Sequence, residues 1–292
     1  MSAFRTLVAL LLGAALVAHA QDFGDTPYVQ TPQVVVDRML EVAKPQVNDF
    51  VIDLGSGDGR MVITAAKRYG ARGFGVDLDK RLVTLANRRA AQAGVAERAK
   101  FYAQDLHETD LSRATIVTIY LLPEVNLMVR PRLLQLAPGT RIVSHDYDMG
   151  DWPPDVSFVM DAPGKSVGRD HKSKVFGWTV PGNAAGRWVW RDAELELQQN
   201  FQQLTGTLTA GGRKLMVEEA KMEGDRIRFT VAGAEGARQV YTGRLVNHAI
   251  DGDVETTRAG ATTKAAWSAA RTEVGVPAHV NLPPPTFLDV IK

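Results

Sequence analysis

Residues 53–60 read DLGSGDGR, and this short stretch decides how the first half of the 292-residue chain is interpreted. An apolar run at 49–54 precedes it, and a helical pattern at 60–69 follows it. A short apolar run that ends in a glycine loop is typical of a buried parallel strand. Glycines let the loop turn tightly and approach a ligand closely, and the N–H groups of the following helix favour an anionic group. The stretch therefore predicts a strand–loop–helix unit with a ligand at the loop.

Strands and helices alternate on both sides of this loop. Further apolar runs predict strands at 73–78, 100–104, 115–122 and 140–147, and periodic segments predict helices at 33–43, 80–93 and 123–136. Two more runs, at 156–160 and 174–180, could close the sheet as a strand pair. The predicted fold class is therefore α/β, with a Rossmann-like sheet over residues 28–182.

The pattern changes after residue 182. From residue 187 onward, short alternating runs are separated by turn signals, which is typical of antiparallel strands. The candidate strands are 188–190, 194–198, 204–209, 214–218, 226–231, 239–245 and 265–269, and the candidate turns are 211–212, 224–225, 235–236 and 251–252. We predict a small antiparallel β domain, a barrel or a sandwich, over residues 187–270, followed by an irregular tail at 271–292.

The N-terminus has the layout of a secretory signal peptide over residues 1–20. Arg5 gives a positive start, residues 6–18 are uncharged and mostly apolar, and Ala18 and Ala20 are small residues at the cleavage-determining positions. An uncleaved anchor or a misassigned start remains the alternative. The apolar run is short for a bilayer span, which needs about 20 residues, and no later segment is long and apolar enough. We expect export to the periplasm or cell envelope, and no transmembrane span in the mature chain.

Composition excludes several kinds of site. The chain has no cysteine, so disulfides, thiolate zinc sites, iron–sulfur clusters and cysteine nucleophiles are ruled out. His107, His145 and His171 show no metal-ligand spacing, and we expect no metal. The formal net charge is +1, so no bulk field attracts nucleic acid or acidic lipid.

The glycine spacing argues against a nicotinamide cofactor. A dinucleotide loop has a small residue three positions after its second glycine, whereas this chain has Arg60 there. The loop instead places Gly55, Gly57 and Gly59 at alternate positions, with Asp53 two residues before the first. S-adenosyl-L-methionine has no pyrophosphate, but its α-amino group needs a nearby acid. Asp53 is in a position to supply that acid.

Two more acids follow successive predicted strands. Asp77 lies 22 residues after Gly55, where an acid accepts hydrogen bonds from ribose hydroxyls. Asp105 ends the third strand, where it can accept from an adenine amino group. A single acid at a strand end is more typical of a helix cap than of a ligand contact. Three such acids beside one glycine loop favour binding of S-adenosyl-L-methionine.

Residues 28–182 resemble the class I methyltransferases. More narrowly, they resemble the small lysine methyltransferases whose mitochondrial members modify the adenine nucleotide carrier and the ATP-synthase c-subunit. The motifs that carry this resemblance are PYV at 27–29 with TP at 31–32, DLGSGDGR at 53–60, YLLPEVN at 120–126 and SHDYDMGDW at 144–152. The resemblance implies a protein substrate, modified at lysine, and cofactor contacts at Tyr28, Thr31, Asp53, Gly55, Asp77 and Asp105. The relatives are single-domain, membrane-associated proteins, whereas this chain is predicted to add a β domain and an export signal.

Methyl transfer from a sulfonium needs an aligned nucleophile and exclusion of water, but no metal. Tyr120 and Glu124 follow the fourth strand and are the candidate catalytic residues, with Asp146 and Asp148 as the second choice. Structural roles are equally good explanations of these two residues: Tyr120 as an aromatic side chain of the core, and Glu124 as an acid at the start of a helix. The Asn/Asp-Pro-Pro-aromatic motif of base amino-methylases is missing, so we expect no nucleic-acid substrate. A nicotinamide reductase and a non-catalytic envelope binding module remain alternatives, the latter because S-adenosyl-L-methionine is made in the cytoplasm.

Overall fold

A seven-stranded sheet organises the first half of the chain in the computed structural model, which describes residues 28–168 and 170–281. The predicted signal peptide at 1–20 lies outside the described residues. The strands are β1 (Phe50–Leu54), β2 (Arg72–Asp77), β3 (Ala99–Ala103), β4 (Ile116–Ile119), β5 (Arg141–His145), β6 (Val156–Asp161) and β7 (Lys172–Thr179). The helices are α1 (Gln33–Ala43), α2 (Arg60–Tyr69), α3 (Lys80–Gln92) and α4 (Pro123–Leu133).

The strand order is β3-β2-β1-β4-β5-β7-β6. Strands β1 to β5 pair in parallel, whereas β7 runs antiparallel to both β5 and β6. The two central strands, β1 and β4, are buried along almost their whole length, as the near-continuous apolar sequence of β1 predicts. This sheet confirms the predicted Rossmann-like class. It also brings the carboxyl ends of β1 to β5 to one edge, where open α/β sheets bind their ligands.

The second half of the chain is a closed antiparallel barrel. Its strands are β8 (Gly186–Trp190), β9 (Ala193–Asn200), β10 (Gln203–Ala210), β11 (Arg213–Met216), β12 (Glu218–Glu223), β13 (Arg226–Ala232), β14 (Arg238–Val246), β15 (Ala249–Arg258) and β16 (Ala261–Val274). Strands that follow each other in sequence pair from β12 to β16, and β8 to β10 pair in the same way. Closure comes from β16 pairing with β8 and from β10 pairing with both β11 and β12. The predicted alternative of a sandwich is therefore replaced by a barrel.

Two details of the barrel differ from the sequence prediction. Asp251 and Gly252, predicted as a turn, lie inside β15, where Gly252 pairs with Gly243 on one side and Trp267 on the other. The indole N–H of Trp267 donates to the carbonyl of Thr242 at 3.0 Å, so tertiary pairing overrides the local Asp-Gly signal. Strand β16 also continues to Val274, past the predicted boundary at residue 270.

The barrel interior is filled by its own side chains. Phe229 and Tyr241 stack with ring centroids 4.7 Å apart, and Trp267 meets Tyr241 edge-on at 5.2 Å. Trp188 is fully buried. These contacts form a packed aromatic core of the kind small barrels require.

The two halves share a hydrophobic core. Phe201, in the turn between β9 and β10, packs in the same buried cluster as Trp152 and Trp178 of the sheet half. In the described part of the chain, the helices all fall short of the length and apolar composition that crossing a bilayer demands.

Candidate active site

The glycine loop between β1 and α2 has a conformation that requires glycine. Gly57 and Gly59 have φ angles of +53° and +81°, in the left-handed region. A Cβ atom on Gly57 would lie 2.4 Å from the Tyr28 ring, and one on Gly59 would lie 2.6 Å from the Phe101 ring. Tyr28 therefore covers the loop directly, and its contact with the cofactor stays a prediction.

Asp77, at the end of β2, fastens this loop. The Gly57 N–H donates to Asp77 Oδ2 at 2.8 Å, and the Asp79 N–H donates to Oδ1 at 2.9 Å. A carboxylate has about four acceptor sites, so two N–H donors leave capacity for ligand hydroxyls. Asp79 has a different task, because its side chain accepts from the Arg81 N–H and caps α3. The structure thus separates two acids that are close in sequence.

Asp53, at the end of β1, is a buried carboxyl that accepts a hydrogen bond from the neighbouring strand. It is 7% exposed, and the Thr118 hydroxyl donates to its Oδ1 at 2.7 Å. Burial raises the pKa of Asp53 to about 7; the hydrogen bond from Thr118 opposes this rise, and the nearby charges of Asp77 and Asp58 add to it. A buried carboxyl of this kind gains from a cationic partner. The α-ammonium group of an amino-acid ligand is such a partner.

Asp105, the third predicted acid, lies after β3 and caps a short 3-10 helix at Leu106–Glu108. Its Oδ1 accepts from the His107 N–H at 2.8 Å. The helix-cap role is therefore present, and contact with an adenine amino group stays a prediction. The strand order places β3 next to β2, so Asp77 at the end of β2 and Asp105 after β3 lie at the same edge of the sheet.

Asp58 is a site residue that sequence reasoning missed. It is 1% exposed and receives hydrogen bonds from Gln30, Arg60 and Arg89. Burial would raise the pKa of Asp58, but the two arginines outweigh it and lower this pKa to about 2. Arg60 also donates to the Thr31 carbonyl at 2.5 Å. The ion pair of Asp58 and Arg60 therefore connects the segment before α1 to the glycine loop. The sequence signal for this pair is the Asp-Gly-Arg spacing at 58–60.

A second group of side chains lies where β4 and β5 end. We call Tyr120, His145, Asp146 and Tyr147 the acceptor cluster. The Tyr120 hydroxyl donates to Asp146 Oδ2 at 3.2 Å, and its ring lies over His145 with centroids 3.9 Å apart. Burial, and then the charge of Asp146, raises the pKa of Tyr120 well above its usual value. Tyr120 therefore acts as a hydrogen-bond donor at neutral pH and not as a base.

Asp146 is the charged centre of this cluster. It adopts a left-handed backbone conformation, with φ of +65°, and accepts from the Lys174 N–H at 3.0 Å. Burial would raise the pKa of Asp146, but the ion pair with Lys165 at 2.7 Å and the other nearby donors lower it. The cluster therefore holds an ionised carboxylate, although the sequence alone favours Glu124 over Asp146 as the catalytic acid.

His145 links the acceptor cluster to the segment before α1. Its ring is fully buried between the Thr31 hydroxyl, 3.2 Å from Nδ1, and the Ser173 hydroxyl, 2.8 Å from Nε2. Burial lowers the pKa of His145, so the ring is neutral at pH 7. Pro32 takes the N-cap position of α1, so the Thr31 side chain does not cap this helix and turns towards His145. Cofactor contact by Thr31 stays a prediction.

The remaining candidates are less enclosed. Glu124 lies partly exposed in the first turn of α4, and among the described residues no hydrogen bond joins it to Tyr120. Asp148 is exposed and accepts from the Gly150 N–H at 3.0 Å. Asn126, which sequence analysis missed, is fully buried and donates to the carbonyls of Tyr147 and Asp148 at 3.2 and 3.1 Å. Asn126 therefore holds the chain just after Asp146 in place.

The pKa of Asp53 predicts a pH-dependent affinity for S-adenosyl-L-methionine. An ammonium ligand needs the ionised carboxylate, so binding should strengthen as the pH rises through 7. We expect the dissociation constant at pH 5.5 to be about tenfold weaker than at pH 7, because only the ionised fraction is competent. Isothermal titration at both pH values measures this. The Asp53→Asn variant should bind more weakly and lose the pH dependence, and an unchanged pH profile in that variant would assign the titration to another group.

Comparisons with known proteins place the similarity of this chain to methyltransferases in the sheet half, which contains the glycine loop and the acceptor cluster. The family described as the ANTKMT methyltransferase domain matches residues 53–156, which run from the glycine loop to the start of β6. The chain is 45% identical over 130 residues to a protein-lysine N-methyltransferase of Saccharolobus islandicus, covering 44% of this chain and 81% of the relative. It is 34% identical over 155 residues to the lysine N-methyltransferase of Xenopus laevis that is named for the ATP-synthase c-subunit, covering 52% of this chain and 68% of the relative.

One solved structure is also similar. It is described as an RNA methyltransferase from Salinibacter ruber in complex with S-adenosyl-L-homocysteine, with 51% sequence identity and a TM-score of 0.47. The similarity covers 52% of this chain and 94% of that one. The family match ends at residue 156, well before the barrel.

Proposed function

Because this chain belongs to the family of protein-lysine N-methyltransferases, we propose that it transfers a methyl group from S-adenosyl-L-methionine to the side-chain amine of a protein lysine. Membership in a family of enzymes favours catalysis over the non-catalytic envelope module. The observation that carries the proposal is the meeting of two sites at one sheet edge. The glycine loop with Asp53 and Asp77 suits an adenosyl amino acid, and the acceptor cluster suits an ammonium group.

The glycine loop and the acceptor cluster are neighbours, because Leu121, the residue after Tyr120, lies against Gly55 of the loop. A Cβ atom on Gly55 would lie 2.8 Å from Leu121, so the glycine loop touches the chain just after β4. The carboxylate of Asp146 can hold and orient a lysine ammonium, and the aromatic faces of Tyr120 and Tyr147 can add cation–π attraction. A lysine amine must lose its proton, with an ordinary pKa of about 10.4, before its lone pair attacks the methyl carbon. That proton passes to solvent water. The carbon–nitrogen bond would form in the same step in which the carbon–sulfur bond breaks, with the thioether as the leaving group.

A protein acceptor is supported by the two lysine methyltransferase relatives, and a nucleic-acid acceptor is the competing possibility. The small net charge gives no general attraction to a phosphate backbone. The motif of base amino-methylases is also missing after β4. The experiment must nevertheless offer both acceptor classes.

The proposal is tested by binding and then by transfer. We expect isothermal titration to show binding of S-adenosyl-L-methionine and none of NADH. Labelled methyl transfer should then appear in envelope protein extracts, be released as methyl-lysine on hydrolysis, and be absent from purified RNA. Binding of NADH without affinity for S-adenosyl-L-methionine would reject the methyltransferase, and label in RNA alone would reject the lysine acceptor.

Variants of the two candidate catalytic residues distinguish their roles. We expect Tyr120→Phe to lower kcat by about ten- to a hundredfold, because the hydroxyl that orients Asp146 is lost. Glu124→Ala should have a smaller effect, since no hydrogen bond within the described residues links Glu124 to the acceptor cluster. Both variants should bind S-adenosyl-L-methionine as the parent does. Parental rates in both would remove these residues from the site.

Export to the periplasm or cell envelope is a further proposal, which rests on residues 1–20. The measurement is the mass of the protein from its native host. A chain that begins at Gln21 supports export behind a cleaved signal peptide, and an intact N-terminus contradicts that cleavage.

A further inference from the structure

Lys165 lies in the segment between β6 and β7 and reaches into the acceptor cluster. Its Nζ lies 2.7 Å from Asp146 Oδ2 and donates to the Lys172 carbonyl at 2.6 Å. The Lys165 side chain is only 9% exposed and that of Asp146 13%. A lysine ammonium buried to this extent is uncommon unless it is paired. The chain thus places one of its own lysines against the carboxylate that is best placed to bind a substrate lysine.

The surroundings of this ammonium match what a lysine acceptor site needs. Asp146 Oδ2 accepts a hydrogen bond from the Tyr120 hydroxyl and forms the ion pair with Lys165 Nζ. Tyr120 therefore orients the oxygen that Lys165 contacts. Tyr147 stacks near Tyr120, with ring centroids 6.5 Å apart. A carboxylate with aromatic neighbours is the usual chemistry of ammonium recognition. The cluster also lies at the sheet edge that carries the glycine loop.

We propose that Lys165 occupies the place where the ammonium group of a substrate lysine binds, and that the substrate must displace it. The inference rests on the proposed function, which it deepens by assigning the amine-binding site. Displacement exchanges one ammonium for another at the same carboxylate. Asp146 is therefore never left buried and unpaired, a state that would be costly. Lys165 then keeps the empty site neutral and competes with every acceptor.

The test uses n-butylammonium chloride, which reproduces the end of a lysine side chain. The Lys174 backbone amide donates to Asp146 Oδ1 and serves as an NMR reporter of that carboxylate. We expect Lys165→Met to bind n-butylammonium at least tenfold more tightly than the parent protein. Lys165→Arg keeps the charge and should stay close to the parent.

A matched control separates the local effect from the loss of one charge. Lys67 is exposed on α2, and Lys67→Met should leave the affinity for n-butylammonium unchanged. Titration with S-adenosyl-L-methionine in every variant tests the proposed function separately. If Lys165→Met binds S-adenosyl-L-methionine normally but n-butylammonium no better than Lys67→Met does, the assignment of Lys165 is wrong and the methyltransferase stands. If no variant binds S-adenosyl-L-methionine, the proposed function fails.

Discussion

Replacing Asp77 with alanine is expected to weaken the binding of S-adenosyl-L-methionine by about a hundredfold. The change removes the acceptor that holds the Gly57 and Asp79 N–H groups. It also removes the predicted acceptor for the ribose hydroxyls. Hydrogen bonds to a charged group contribute about 1.5–3 kcal/mol each, and a loss near 3 kcal/mol corresponds to about two orders of magnitude in the dissociation constant. Isothermal titration measures this directly.

Asp79→Ala is the matched control, because Asp79 is an acid of the same type only two residues away. Its side chain caps α3, so its loss should modestly lower the free energy of unfolding. The affinity for S-adenosyl-L-methionine should change by less than about threefold, since the Asp79 side chain faces Arg81. Equal losses of affinity in both variants would show that Asp77 acts through the loop's general stability and not through the ligand.

The part of the site that could be predicted from sequence is the part built from local pattern. The glycine loop, Asp53 and Asp77 follow from a strand that ends in glycines and from the known geometry of parallel sheets. These signals lie within one strand–loop–helix unit and the strand after it. The strand order then places the acids at one edge, as expected.

What could not be predicted depends on contacts between segments that are distant in sequence. The partner of Tyr120 is Asp146, 26 residues away, and is fixed by the pairing of β4 with β5. Lys165 reaches the same carboxylate from a loop with no distinctive motif. Asp251 and Gly252 show the reverse problem, since a strong local turn signal is overridden by pairing on both sides of β15.

The barrel has a structural link to the acceptor cluster. Trp152 is fully buried, stacks on Phe201 with centroids 6.0 Å apart, and donates its indole N–H to Gln202 at 3.1 Å. Phe201 and Gln202 form the turn between β9 and β10 of the barrel. Two residues of α4 hold the middle of the segment 146–152. Asn126 donates to the Asp148 carbonyl, and Arg130 donates to the Met149 carbonyl at 2.7 Å. The barrel therefore clamps one end of the segment that begins with Asp146 and Tyr147 of the acceptor cluster.

Phe201→Ala should consequently reduce both stability and methyl transfer. Truncating a buried phenylalanine costs about 3–5 kcal/mol of the free energy of unfolding. Because Trp152 loses its stacking partner, we expect kcat/KM for the protein acceptor to fall by about tenfold, at a temperature where the variant is folded. Denaturant unfolding and initial rates of labelled methyl transfer measure the two effects.

Phe229→Ala provides the control, since Phe229 is equally buried but lies in the aromatic core of the barrel. Its loss should lower the free energy of unfolding by a similar amount while leaving kcat/KM within about twofold of the parent. A difference between the two variants can arise only from where the lost ring was packed, because the chemical change is the same. If both variants lose activity equally, the barrel contributes general stability alone, and the clamp on the acceptor segment has no part in methyl transfer.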